Sequence, residues 1–129
     1  MTRPPRSIEV PGASHKAPVP AAARVANVLC TSAVSGKDPA SGALPEDAQA
    51  QAANAFANLR AVLEAGGASL DDLVKLSVTI RDNAVRDAVN AQWLAAFPDP
   101  HDRPARHIVV QDLQHGMWLQ LEAMAVIAR

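Results

Sequence analysis

Residues 59–82 read LRAVLEAGGASLDDLVKLSVTIRD, and this stretch joins the end of a helix, a turn and a strand in one run. Its second half, Leu73 to Arg81, alternates. Val74, Leu76, Val78 and Ile80 point one way, with Leu73 set aside, and Lys75, Ser77, Thr79 and Arg81 point the other. A period of two predicts a strand. Its first half closes a helix that begins at Glu46, where Ala52, Phe56, Leu59 and Leu63 recur at helical spacing. Pro45, Glu46 and Asp47 suit a first turn, and Gly66-Gly67 supplies the stop. Ser69 to Asp72 is then a tight turn.

Downstream, Asp82 or Asn83 caps a second helix that runs through Phe97, with Val85, Val89, Trp93 and Ala96 on one side. Pro98 and Pro100 end it. Arg106–Gln111 and Met117–Ala128 read as two strands joined by a short turn at 114–116. In the last strand Met117, Leu119, Leu121, Ala123, Ala125 and Ile127 share a face, and Trp118, Gln120, Glu122 and Met124 share the other. Upstream, residues 1–12 read as a frayed start plus a short strand at Ser7–Val10, stopped by Pro11-Gly12. Ala13–Pro20 is a loop, Arg24–Val34 a strand, and Ser35–Pro45 a turn-rich loop. The expectation is one domain over residues 1–129, of the α+β class, in the order β-β-α-β-α-β-β. Two helices cover only one face of such a sheet. The other face carries Ser77, Thr79, Gln120 and Glu122, which predicts a homo-oligomer with Glu122 near an intersubunit cleft.

Composition narrows the function. A hydrophobic share of 49% with 19% charged residues argues against disorder. Phe56, Trp93, Phe97 and Trp118 are the whole aromatic set, too few for a surface that stacks bases. Twelve basic and thirteen acidic residues give a net charge of -1 with no basic stripe, so nucleic acid is a poor partner. One cysteine fits a reducing compartment. With no apolar run near the length of a membrane helix and no apolar leader in MTRPPRSIEV, the chain is expected in the cytoplasm.

Most candidate chemistry has a plain structural explanation. His15, His101, His107 and His115 lack metal-ligand spacing, so no metal is expected. Cys30 lies mid-strand and reads as a small buried hydrophobe. Ser32 has no nucleophile-elbow context, and Gly66-Gly67 follows a helix instead of preceding one. Two charges stand out. Arg106 shares its face with Ile108 and Val110, and a guanidinium there needs an anionic partner. Both an internal carboxylate and a substrate carboxylate satisfy that need. Glu122 is either an acid/base group or a structural partner of Arg106 or Arg24.

Three collinear stretches carry a family resemblance: residues 59–82, RPARHIVV at 103–110 and GMWLQLEAMA at 116–125. On these the chain resembles the RidA/YjgF/YER/UK family of small trimeric proteins, many of them enamine/imine deaminases and formerly grouped as endoribonuclease L-PSP. The resemblance runs from about Pro18 to Ala125. It implies a chorismate-mutase-like fold, a homotrimer with three intersubunit clefts, and sites with no metal and no organic cofactor. It implies Arg106 as the anchor of a substrate carboxylate and Glu122 as the group that positions water. It also implies substrate-binding roles for Ser32, Ala33, Asn90, Ile108 and Val19. The chain departs from the family at several of them. Val19 stands where a Tyr is usual, Ala33-Val34 replaces Gly-Gln, Ile108 replaces Cys or Thr, and Gln120 replaces the first glutamate of the closing strand. The expected reaction is hydrolysis of 2-enamine or 2-imine acids to 2-keto acids and ammonia. The alternatives are a catabolic deaminase of aminomuconate-type compounds and a non-enzymatic trimer that binds a small carboxylate. Ribonuclease activity, attributed to some relatives, is disfavoured by the neutral charge and the absence of Tyr.

Overall fold

The structure is a computed structural model and describes residues 3–13 and 15–128. The frayed start expected of the N-terminus falls in part on Met1 and Thr2, outside the described residues. Along the chain the elements are β1 (Ser7–Ile8), β2 (Ala22–Val25), β3 (Val28–Thr31), β4 (Val34–Ser35), α1 (Ala48–Ala65), β5 (Leu73–Ile80), α2 (Arg86–Ala96), β6 (Ala105–Val110) and β7 (Leu119–Val126). One mixed sheet holds every strand in the order β1-β2-β3-β7-β5-β6, with β4 also pairing with β7. All described pairs are antiparallel except β5 with β6, the parallel pair that α2 connects. Among the described residues no helix is long and apolar enough to cross a membrane.

Helix α1 begins two residues later than the sequence suggests, because Asp47 is its cap: Oδ2 accepts from the Ala50 N–H at 3.0 Å. Its buried face carries Ala52, Phe56, Leu59 and Leu63, as the spacing predicts. These pack on Leu76, Val78 and Ile80 of β5 and on Leu119, Leu121, Ala123 and Ala125 of β7. Each large side chain buried there stabilises the fold by about 1.5–3 kcal/mol. Asp82 caps a single short turn of 3₁₀ helix, Asn83–Val85, before α2 starts.

The structure corrects three strand expectations. The segment 24–34 is not one strand. It turns at Ala26-Asn27 to make the β2–β3 hairpin, then breaks at Ser32-Ala33 before β4. No glycine announces the turn, and Ala26 itself takes φ 52°. In β5 a bulge between Leu73 and Lys75 shifts the alternation, so Leu73 is buried and Val74 is 45% exposed. Cys30 lies on the uncovered face opposite Met124 and is exposed, so it is not a buried hydrophobe in this chain.

A left-handed conformation costs an L-residue about 1–2 kcal/mol, and a glycine there gives back part of that through its freer unfolded chain. Ala26→Gly should therefore stabilise the protein by about 0.5 kcal/mol in urea unfolding. A loss of stability would show that the Ala26 side chain makes a contact worth more than the strain.

The uncovered face holds the residues expected of it. Ser77 stands opposite Glu122 and Thr79 opposite Gln120. Val28 (41% exposed) and Met124 (37%) add apolar surface beside them. No described element of the chain covers this face.

Candidate active site

Two groups of residues carry features that folding alone does not require. The first is built around Arg106. Strand β6 is an edge strand in register with β5, and Arg106 sits opposite Leu76. Its side chain is therefore on the face that the helices cover. There Nη1 donates to Asn90 Oδ1 of α2 at 2.8 Å, and the guanidinium carbon lies 4.8 Å from the centre of the Trp93 ring. Trp93 is braced in turn by Phe97, with ring centroids 4.8 Å apart and planes tilted by 60°. Ile108, half-buried, follows two residues later on the same face.

The electrostatics of this corner are unbalanced. Burial lowers the Arg106 pKa from its ordinary value, and the like charge of Arg86 lowers it further. The partners of the guanidinium are an amide oxygen and an aromatic ring, both neutral. Among the described residues no carboxylate forms an ion pair with it. The internal partner that the sequence left open is absent from the described chain. A planar charged fork, oriented on two sides and without an anion among the described residues, keeps parallel donors of the kind that a carboxylate accepts from.

The second group surrounds the break between β3 and β4. The Ser32 hydroxyl donates to the Pro20 carbonyl at 2.8 Å, and its N–H donates to Ala21 O at 2.9 Å. Ser32 thus ties the 18–21 loop to the sheet and sets the position of Ala33. His15 Nε2 donates to the Ala33 carbonyl at 2.8 Å. Ala33, His15 and Gln120 all line a cavity of about 700 Å³, within the usual range for a small-molecule site. Val19 lies in the neighbouring loop and is 44% exposed.

Glu122 belongs to neither group in a single chain. It stands opposite Ser77 on the uncovered face, exposed, while Arg106 points to the covered face. The expected structural pairing of Glu122 with Arg106 is thereby excluded within the chain. Arg24 is engaged elsewhere: Nη1 donates to Gly66 O at 2.7 Å and Nε to Ala26 O at 2.9 Å. In the single chain the carboxylate is exposed, on the face that the helices leave uncovered, as the alternation of the last strand predicts.

Of the expected site residues, the fold unites Arg106, Asn90 and Ile108, and separately Ser32, Ala33 and Val19. The two sets are three strand spacings apart, from β4 across β7 and β5 to β6, or about 14 Å. Sequence reasoning placed Trp93 in the core and did not see it as a support for Arg106. It considered His15 only as a metal ligand and passed over Lys16 and Lys37, whose shared cavity is assembled from loops, α1 and the approach to β7 and is invisible to periodicity. Among the described residues no group of three His, Cys, Asp or Glu is placed to hold a metal ion.

Comparison with known proteins gives a consistent picture. Residues 13–127 match the family model described as Endoribonuclease L-PSP. The 2-iminobutanoate/2-iminopropanoate deaminase of Salmonella typhimurium is 35% identical over 102 residues, which is 78% of this chain and 80% of that protein. The crystal structure of RidA from an Antarctic Psychrobacter species is similar with a TM-score of 0.87 and 31% identity, covering 95% of this chain and 99% of the other. Escherichia coli TdcF with bound serine is similar with a TM-score of 0.87 and 27% identity, over 95% and 99% of the two chains.

Proposed function

The chain belongs to the Endoribonuclease L-PSP family, which includes RidA, and on that premise we propose that it hydrolyses 2-enamine and 2-imine acids to 2-keto acids and ammonia in clefts between the copies of a homotrimer. The observation that carries this reading is Arg106, which is partly buried and oriented by Asn90 and Trp93 yet lacks a carboxylate partner among the described residues. A bound substrate carboxylate supplies the missing charge. Relatives named as 2-iminobutanoate/2-iminopropanoate deaminases, and a similar structure holding serine, support a small amino-acid-like carboxylate as ligand.

The two separated half-sites support assembly between copies. A chain that presents Arg106 at one edge and Ala33 near the other meets the complementary half of a second copy in a head-to-tail ring. The open face with its exposed Val28 and Met124 gives such a ring an apolar surface to bury. In this cleft Arg106 fixes the carboxylate, and backbone groups at Ile108 and Ala33 border the imine nitrogen. Gln120, which lines the cavity with Ala33, holds a water. Glu122, two residues along the same face, is the base that takes its proton. Water adds to the imine carbon, the C–N bond breaks, and ammonia leaves. Positioning and proton transfer provide the acceleration without a covalent intermediate.

The test is direct. Purified protein is incubated with 2-iminobutyrate generated in place by an amino-acid oxidase or a threonine dehydratase, and 2-oxobutyrate release is followed. Release faster than in buffer is expected, together with a trimer by sedimentation at micromolar concentration. Binding without turnover would make the protein a carboxylate-binding trimer, and a clean 13.5 kDa monomer would remove the cleft.

A further inference from the structure

The cavity beside Ala33 has a charge pattern of its own. Lys16 and Lys37 line it from two different loops, and His15 and His115 line it as well. Aspartate and glutamate are absent from the described lining. Leu44, Val62 and Met117 supply apolar walls. Neither lysine forms an ion pair or a side-chain hydrogen bond among the described residues. A concave site with apolar walls, two unpaired ammonium groups and no acid attracts an anion with a short carbon body.

His15 adds an independent observation. Its Nε2 bonds to the Ala33 carbonyl, which requires the proton on that nitrogen. The other ring nitrogen, Nδ1, is buried and has no hydrogen-bond partner among the described residues. With the proton on Nε2, Nδ1 is an acceptor, and a buried acceptor without a partner is costly, so the ring calls for a donor, a water or an N–H of a neighbouring copy, that the lone chain does not contain.

Resting on the imine-hydrolase reading above, we propose that the substrate is a dicarboxylic 2-imino acid: Arg106 of one copy holds the carboxylate next to the imine, and Lys16 and Lys37 of the neighbouring copy hold the second, distal carboxylate in this cavity. The chemistry is unchanged. Water adds to the C=N carbon, ammonia departs with the nitrogen, and a dicarboxylic 2-keto acid remains. The distal carboxylate takes no part in bond making. It contributes binding and fixes which face of the imine meets the water.

The experiment compares two imino acids of different charge, 2-iminoglutarate and 2-iminobutyrate, each generated in place by an amino-acid oxidase. Calorimetric binding of the corresponding keto acids, 2-oxoglutarate and 2-oxobutyrate, is measured alongside. The parent protein should show kcat/KM about tenfold or more higher for 2-iminoglutarate, and the Lys16→Gln/Lys37→Gln double variant should lose about tenfold of that preference. 2-Oxoglutarate should bind the parent more tightly than 2-oxobutyrate, with the difference gone in the double variant. Turnover of 2-iminobutyrate equal to or better than that of 2-iminoglutarate overturns the proposal while leaving the deaminase reading intact. A preference that survives in the double variant also overturns it. If neither imine is hydrolysed, the deaminase reading fails, and lysine-dependent binding of 2-oxoglutarate then still supports the dicarboxylate cavity, whereas its absence removes that too.

Discussion

Arg106→Ala should lose at least a hundredfold in kcat/KM for 2-imino acids while the protein stays folded and oligomeric. Arg106→Lys should lose about ten- to a hundredfold, because one charged hydrogen bond is worth about 1.5–3 kcal/mol and an ammonium cannot present two parallel donors to a carboxylate. The stability change has an expected sign. In the unliganded chain the guanidinium is held in a desolvated corner beside Arg86 with neutral partners only. Removing it relieves burial of charge and like-charge repulsion, at the loss of one hydrogen bond to Asn90 and the contact with Trp93. Each of these is on the order of 1 kcal/mol, so unfolding free energy should stay within about 1 kcal/mol of the parent. Chemical denaturation and imine turnover on the same samples check both halves. A variant that unfolds or dissociates would mark Arg106 as a structural cation.

The largest stability loss should come from Gln51. This side chain is fully buried in α1 and makes three hydrogen bonds to distant backbone. Nε2 donates to Pro45 O at 2.7 Å and Gly116 O at 3.0 Å, and Oε1 accepts from Trp118 N at 2.8 Å. One amide thus joins the loop before α1 to the turn before β7. Gly36 packs so closely on the Gln51 backbone that a Cβ there would overlap its carbonyl, which ties β4 to the same point. Gln51→Leu keeps the volume but leaves two carbonyls and one N–H, all part-buried, without their side-chain partner. Each costs about 1–3 kcal/mol, with partial relief from water, so a total near 3–4 kcal/mol is expected. For a chain of this length that is a fall in Tm of about 10–15 °C. A fall of only a few degrees would show that the three backbone groups find other partners. Because the turn carries His115 and leads into Met117 and Gln120, all on the cavity rim, the variant should also bind dicarboxylates more weakly.

How much of this was legible follows from the reach of each signal. Strands β5 and β7 and helix α1 were readable because burial imposes a period on their side chains. That period runs through Leu76, Val78 and Ile80, and through Leu119 to Ala125. The uncovered face was readable for the same reason, since two helices cannot cover both sides of a sheet. The turn at Ala26-Asn27 was not, because Ala26 takes a conformation that sequence reading assigns to glycine. Nor was the bulge at Val74, which looks like one more alternating residue. The site behaved similarly. Arg106 stood out as a charge in an apolar run, but its partners lie on α2, sixteen residues back for Asn90, and nothing local distinguishes an amide partner from a carboxylate. The face that Glu122 occupies was readable from the alternation of β7, whereas its separation from Arg106 follows from the pairing of β5 with β6, which a single strand does not reveal. The cavity requires His15 and Lys16 to meet Lys37, Gly42 and Leu44, all on loops, and loops carry no periodicity.

Subunit complementation tests the central claim, that Arg106 of one copy and the Ala33 side of another form a single site. Arg106→Ala and Ala33→Phe are prepared separately, each expected to be nearly inactive, the second because its ring intrudes on the cavity that Ala33 lines. The two are then unfolded, mixed in equal amounts and refolded together. In a random ring about a quarter of the clefts receive an intact Arg106 from one variant and an intact Ala33 side from the other. The account predicts recovery of about that fraction of the parental imine turnover. A mixture that forms mixed rings by mass and yet stays as inactive as its two components would contradict it.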